Sequence, residues 1–550
     1  MVRHQARRYP DLDLLEPDSA GLDPRDAAFA HALYDIVVRR WLTLRHLLAR
    51  HLDQPWTKLK PEAKATLLVG AAQLLFMRSV PPHAAVSESV EWMAQNASKG
   101  GAGLVNAILR KLAAEIAPSE GHASARDAHV ASAGVPIVRS AGSDDDTEPT
   151  PTPREAVVIP GAEPEYDVES EPASEVESRP RAEVAEEPSD LTSTEETASV
   201  EHASAEESHV GAASEIESTA PPVGESRADA ATPESPAGWN DRRDALPHDD
   251  GTIVGLVDEL LPADPLERLA VASSHPAELL AEWIKHAPME KVRALALHGL
   301  AHPPVILNTQ HARSPLPEEH LTPHRAPGHH VFKGARAALE KLLAARDDVW
   351  VQDPASSLAV QSVIDLKPRL VIDYCAGRGT KTRQLALAFP DARIVATDID
   401  QPRFKYLQRA FADASNVQVV SFNAIRDFVG KADLVLIDAP CSNTGVLARR
   451  VEAKYRVDRD RTDGLTAIQR QLIADCIPLL NTDEPAKDGV LPAILYSTCS
   501  LDPKENEAQA AWAARWHSFK TSREHRRAPS GGPGKPAEEY SDGSYAVLLS

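Results

Sequence analysis

Two short apolar runs, residues 434–437 and 493–496, each lead into a turn that carries a cysteine, Cys441 and Cys499. Strands that are apolar on both faces belong in a parallel sheet with helices on either side. Ligands of such sheets bind beyond the carboxyl ends of the strands. The two thiols are therefore expected to share one crevice with Asp438. From Val349 onward strand and helix patterns alternate. Strands are expected at 370–374, 394–397, 417–420, 434–437 and 493–496, and helices at 380–388, 401–412 and 465–480. This spacing predicts a doubly wound α/β domain, its parallel strands joined by right-handed crossovers.

Charge divides the rest of the chain. A net charge of −22 argues against a nucleic-acid partner only if it is evenly spread. Residues 119–250 hold 32 acidic and 8 basic side chains, so the remainder is near neutral, with local basic clusters. The stretch 118–248 is rich in Glu, Ser, Ala, Pro and Thr. It cannot bury enough apolar surface to offset its ordering entropy and reads as a disordered acidic linker. Residues 1–117 carry apolar side chains at helical spacing, among them Leu33, Tyr34, Val37, Val38 and Trp41, and read as an all-α bundle. Helical patterning resumes at 252, over 256–261 and 276–284, followed by a short strand over 303–308 and a helix over 335–343. Residues 249–345 thus read as a small α/β subdomain ahead of a catalytic domain over 346–550. No apolar run reaches the length of a membrane span, and with no apolar stretch behind the basic start no signal peptide is expected. Cys375, Cys441, Cys476 and Cys499 show no zinc or disulfide spacing, so a reducing, cytoplasmic location is expected.

The first strand of the alternating region runs into Asp373-Tyr374-Cys375-Ala376-Gly377-Arg378-Gly379-Thr380-Lys381. Small residues there let the backbone approach a ligand, and the next helix offers its N-terminus, which suits a nucleotide-like cofactor. The second strand ends at Asp398, where an acid commonly bonds ribose hydroxyls. The three-glycine dinucleotide pattern is absent, which disfavours a nicotinamide cofactor. A buried cysteine is usually a small core hydrophobe. That reading suits Cys476, inside an apolar helix, and Cys375 reads as backbone and packing. For Cys441 and Cys499, at strand ends beside Pro440 and Ser500, the residues alone leave a core role and a catalytic role both open.

Asp438-Ala439-Pro440-Cys441-Ser442-Asn443-Thr444-Gly445 and Tyr496-Ser497-Thr498-Cys499-Ser500-Leu501-Asp502-Pro503-Lys504-Glu505-Asn506 closely resemble motifs IV and VI of the RNA cytosine-C5 methyltransferases of the Sun/RsmB (Fmu) family. Val351-Gln352-Asp353-Pro354 is similar to the segment before that family's first strand, and Asp542-Gly543-Ser544-Tyr545 to its closing strand. Pro81-Pro82-His83 and Gly103-Leu104-Val105-Asn106 are similar to parts of a NusB-like RNA-binding domain. The resemblance implies a Rossmann-like methyltransferase domain that uses S-adenosyl-L-methionine on 16S ribosomal RNA, in a monomer with no membrane partner. It implies Cys499 as the nucleophile, Cys441 as the thiol needed for product release and Asp438 as an active-site carboxylate. It also implies cofactor contacts from Cys375, Ala376, Gly377, Arg378, Gly379, Thr380, Lys381, Asp398, Asn423 and Asp438. The basic cluster Arg449, Arg450, Lys454 and Arg456 beside the proposed crevice reads as phosphate-binding. Further clusters stand at Arg459 and Arg461 and at Arg523, Arg526 and Arg527.

The chain departs from the family pattern at four places: Arg378 and Thr380 stand in the cofactor loop where Pro and Gly are usual, Asn423 replaces an acid, residues 449–456 are one shorter, and Leu307-Asn308-Thr309-Gln310 replaces an early basic element. The implied chemistry is thiolate addition to C6 of cytosine, which makes C5 nucleophilic toward a sulfonium methyl. The target base must leave any stack, so single-stranded or opened RNA is expected. A transfer RNA substrate is the alternative within the enzyme class. A scaffold that binds RNA without catalysis is the alternative outside it.

Overall fold

The computed structural model describes residues 1–13, 15, 21–117, 239, 242–482 and 492–550. Most of the stretch read as an acidic linker lies outside these residues.

The N-terminal bundle comprises α1 (Val2–Arg8), α2 (Pro24–Arg39), α3 (Trp41–Ala49), α4 (Pro61–Phe76), α5 (Pro82–Asn96) and α6 (Lys99–Glu115). Asp23 starts α2 by accepting hydrogen bonds from the amides of Arg25 and Asp26, with Pro24 at the first helical position. Helix α4 is the central one: Leu67, Leu68, Ala71, Ala72 and Leu75 are all buried. Gly70 lets α6 come close, since a Cβ there would sit 2.5 Å from Leu109.

The boundary at 248 needs correction. Residues β1 (Ala245–Pro247) and β2 (Ile253–Gly255) pair antiparallel, with Ala245 and Leu246 fully buried. Residues 256–261 are not helical either. Leu256 bridges Ile116 at the end of α6. Helix α7 (Pro265–Ser273) begins only where Asp264 caps the amides of Leu266 and Glu267. Helices α7, α8 (Ala277–Ile284) and α9 (Met289–His298) share one hydrophobic core with the bundle.

Strands β3 (Val305–Asn308), β4 (Leu321–Pro323) and β5 (His329–Phe332), helix α10 (Arg336–Ala345) and β6 (Trp350–Val351) form a small sheet of order β4-β5-β3-β6. The boundary drawn at 346 therefore cuts through this sheet, because β6 pairs with β3.

The catalytic-type domain contains α11 (Pro354–Gln361), β7 (Leu370–Asp373), α12 (Thr380–Ala388), β8 (Arg393–Ala396), α13 (Gln401–Ala410), β9 (Val417–Val419), β10 (Leu434–Asp438), α14 (Arg459–Cys476), β11 (Ala493–Thr498), α15 (Glu507–His517), β12 (Thr521–Arg527) and β13 (Ser544–Leu549). The sheet order is β12-β13-β11-β10-β7-β8-β9. Five strands are parallel as expected; β13 runs against them beside β11, and β12, antiparallel to β13, runs with the five. Residues Val371, Ile394, Leu434, Leu436 and Leu495 face one helical layer, and Ile372, Val395, Val435, Ile437 and Tyr496 the other. This alternation buries both faces. The chain leaves β7 toward β8 and β9 and returns to β10 on its other side. The order thus reverses between β7 and β10, the place where such sheets open a crevice.

Candidate active site

A cleft of about 1110 Å³ opens at the carboxyl ends of β7, β10 and β11. Cys441, Cys499, Asp438, Lys381, Asp373 and Cys375 are among the residues that line it. Strands β10 and β11 are in register, with Asp438 opposite Ser497, so the turns that follow them lie side by side. As a result the Cys441 and Cys499 sulfurs are 3.3 Å apart. The Cys499 thiol donates to Oδ1 of Asn443 at 3.2 Å. Asn443 sits at φ +60°, a conformation Asn tolerates better than most residues, and its amide donates to the Cys441 carbonyl at 3.0 Å.

The Cys441 thiol is pushed well above its ordinary value by its contact with Cys499, by burial, and by the charges of Cys499 and Glu505. Lys381, at the start of α12, places Nζ 2.7 Å from Oδ2 of Asp438. Burial opposes the ammonium charge, yet Asp438 and the nearby Cys499 hold it above its ordinary value. Oδ1 of Asp438 accepts from Ser497 at 3.0 Å. Cys375 and Cys476 differ from this pair. Burial pushes both thiols up, and neither approaches a second sulfur within bonding distance, as expected for packing residues.

The loop after β7 fits a nucleotide-like cofactor in its shape. Gly377, at φ +58°, would direct a Cβ into open space, and its amide is fixed by Asp398 at 2.8 Å. Gly379, at φ +81°, would drive a Cβ to 2.4 Å from Phe411. Cys375, Ala376, Gly377, Arg378, Thr380 and Lys381 line the cleft. Arg378 is exposed, with its guanidinium 5.6 Å from the Tyr406 ring. Gly379, Asp398 and Asn423 are not among the lining residues. Asp398 is buried and accepts the amides of Gly377 and Asp400, so it shapes the loop. Asn423 is exposed, in a 3-10 turn over Phe422–Phe428. Sequence reasoning gave Asp373 no role. It is fully buried, accepts from Thr382 at 2.7 Å through Oδ2, and leaves Oδ1 without a hydrogen bond in the cleft wall. Burial pushes its carboxyl up to about 7. Such an orphaned oxygen suits a ligand's N–H or O–H.

Residues 363–531 match the family described as 16S rRNA methyltransferase RsmB/F, and residues 4–114 match the NusB family. The probable ribosomal RNA small subunit methyltransferase B of Bacillus subtilis (strain 168) is 28% identical over 262 residues, 44% of this chain and 56% of that protein. The ribosomal RNA small subunit methyltransferase B of Yersinia pseudotuberculosis serotype O:1b (strain IP 31758) is 32% identical over 213 residues, 36% of this chain and 46% of that protein. The chain thus spans about half the length of the curated relatives it matches. The crystal structure of PH0851 superposes with a TM-score of 0.57 at 15% identity, covering 100% of this chain and 97% of that one, a likeness of fold.

In the basic cluster beside the crevice Lys454 needs correction, whereas Arg449, Arg450 and Arg456 line the cleft. Lys454 is fully buried and donates to the Arg39 carbonyl at 2.8 Å. Arg456 bonds the Leu12 carbonyl and Asp13. Arg449 pairs with Asp542 at 2.6 Å and Asp353 at 3.1 Å. All three act as struts toward the bundle or the floor of the domain. Arg450 alone of the four projects outward, 59% exposed, its nearest acid being Glu452 at 3.9 Å. Arg461, Arg523 and Arg526 are likewise paired, with Asp11, Asp365 and Glu507. Among the described residues no helix is long and apolar enough to cross a membrane.

Proposed function

We propose that this chain methylates cytosine C5 in 16S ribosomal RNA, with S-adenosyl-L-methionine as donor, through a covalent bond from Cys499 to C6. The observation that carries the reading is the pair of sulfurs 3.3 Å apart in one cleft, beside the ion pair of Lys381 and Asp438. One carbon must be attacked and its neighbour relieved of a proton, so two adjacent thiols suit the task.

Cys499 is the attacking sulfur. Its thiol, hydrogen-bonded to Asn443, releases its proton to solvent on attack, with Lys381 as the cation near the sulfur. Asp438, held by Lys381 and Ser497, bonds the amino edge of the base. Residues Cys375–Lys381 and the unpartnered oxygen of Asp373 would hold S-adenosyl-L-methionine, which when bound would supply an electrophilic methyl. The C5 proton then leaves to Cys441 or to a water beside it, and the Cys499 thiolate departs from C6.

The pairing also sets the order of events. Two of the causes that hold the Cys441 proton on are the contact with Cys499 and the charge of Cys499. Once Cys499 is bonded to C6 both disappear, so the Cys441 thiol gives up its own proton to solvent more readily and stands as a thiolate able to take the C5 proton. Among RNA contacts, Arg450 at the cleft edge is proposed to meet phosphate.

Transfer of labelled methyl from S-adenosyl-L-methionine to 16S RNA, mapped by bisulfite sequencing, tests the reading. A single protected cytosine is expected. Label on transfer RNA alone would replace the substrate, and absence of both cofactor binding and label would favour the scaffold.

A further inference from the structure

Glu505 is a buried carboxylate that the chemistry above does not use. Its Oε1 accepts from the Ser442 amide at 2.9 Å and from the Gln469 side chain at 3.1 Å. Its Oε2 accepts from the hydroxyls of both Ser442 and Ser500. Ser442 follows Cys441 and Ser500 follows Cys499. The two hydroxyls also touch each other at 3.0 Å, and Thr444 contacts both. Gln469, from α14, donates in addition to the Pro440 carbonyl at 3.0 Å. The carboxylate is itself anchored, since the Glu505 carbonyl accepts from Tyr496 at 2.7 Å.

We propose that Glu505 is a positioning residue: one carboxylate that clamps the two cysteine turns and sets the distance between the sulfurs. The proposal rests on the methyltransferase reading for its purpose but not for its geometry. Without the clamp, the two turns keep the Gly445 amide on the Cys499 carbonyl, the Leu501 amide on the Thr444 hydroxyl, the Cys499 contact with Asn443 and the hydroxyl contacts, but lose the one group that binds Ser442 and Ser500 together. A carboxylate oxygen accepts two hydrogen bonds with ease, which is why an acid serves here. Gln can keep the same frame. Its carbonyl oxygen accepts from the Ser442 amide and Gln469, and its amide donates to serine hydroxyls that turn to accept. Ala cannot.

The test is cross-linking of the full chain by diamide. Two thiols lose two electrons and two protons to the diazene, which becomes the hydrazine, and a 441–499 disulfide forms. Parent protein is expected to cross-link quickly, as read by peptide mapping. Glu505→Ala should slow that step at least tenfold, while Glu505→Gln stays within threefold of the parent. In the methyl-transfer assay Glu505→Ala should lower kcat about a hundredfold with KM for RNA and cofactor within threefold, and Glu505→Gln should restore most of kcat. Should Glu505→Ala fail to fold, Ser442→Ala with Ser500→Ala removes two of the struts and is expected to slow cross-linking at least fivefold. A variant lacking the clamp that cross-links within twofold of the parent overturns the proposal. So does a Glu505→Gln variant as slow as Glu505→Ala. If the parent transfers no methyl, the functional reading fails, while cross-linking still decides the clamp.

Discussion

The crevice at the ends of β10 and β11 and the segment just after it, residues 449–456, are both dense in polar side chains, yet they do opposite work. In the crevice, Cys441, Cys499, Asp438 and Lys381 face a common space. In the following segment, Arg449, Lys454 and Arg456 turn inward and tie the domain to its neighbours. The lesson is that backbone position predicts a reactive side chain better than charge does. A strand end in a parallel sheet opens on a ligand site whatever sits there. A charged residue goes where carbonyls and carboxylates wait for it. Arg39 shows the same from the bundle side: its guanidinium bonds the carbonyls of Gly299, Ala301 and Ala448.

The contrast breaks most sharply at Cys499. Cys499→Ala should reduce methyl transfer at least about 10³-fold with an unchanged melting temperature. Next comes Arg449→Ala, which leaves Asp353 and Asp542 buried without their cation. It should cost about 3 kcal/mol by denaturant unfolding. A loss of RNA affinity with unchanged stability would return Arg449 to the RNA-binding set.

Acid titration sharpens the structural side. Burial holds His298 and His329 near the same floor at about 4, below their ordinary 6.5. Between those values the unfolded chain binds protons that the folded one refuses, so stability falls as pH drops from 6.5 toward 4. The slope should approach about 1.4 kcal/mol per pH unit for each histidine, and His298→Gln should lessen it.

Lys454 offers a smaller effect of the same sign. Burial, with Arg39 and Arg40 nearby, pushes its ammonium well below the ordinary lysine value. Wherever the folded chain has given up this proton and the unfolded chain still holds it, protonation favours unfolding, and that cost shrinks as pH rises toward the ordinary value. Lys454→Met should raise stability by about 1 kcal/mol and leave RNA affinity alone. Arg450→Ala should do the reverse, weakening RNA two- to fivefold, more at low salt, with no change in unfolding.

Much of the crevice was legible in advance, because period and punctuation carry it. Unbroken apolar runs marked β10 and β11. Residues 256–261 misled because apolar spacing alone cannot tell a helix from an extended segment that bridges a neighbour. Strand β12, Thr-Ser-Arg-Glu-His-Arg-Arg, has almost no apolar signal and exists because β13 offers it an edge. Asn443, Glu505 and the inward turn of Lys454 depend on partners remote in the chain, such as Arg39, and no local pattern announces them.

The central claim is that the two neighbouring sulfurs divide one reaction, attack by Cys499 and release through Cys441. Its most direct measurement is mass spectrometry of Cys441→Ala after incubation with 16S RNA and S-adenosyl-L-methionine. The account predicts an accumulating protein–RNA adduct attached at Cys499. Normal turnover without an adduct, or an adduct attached anywhere else, would contradict it.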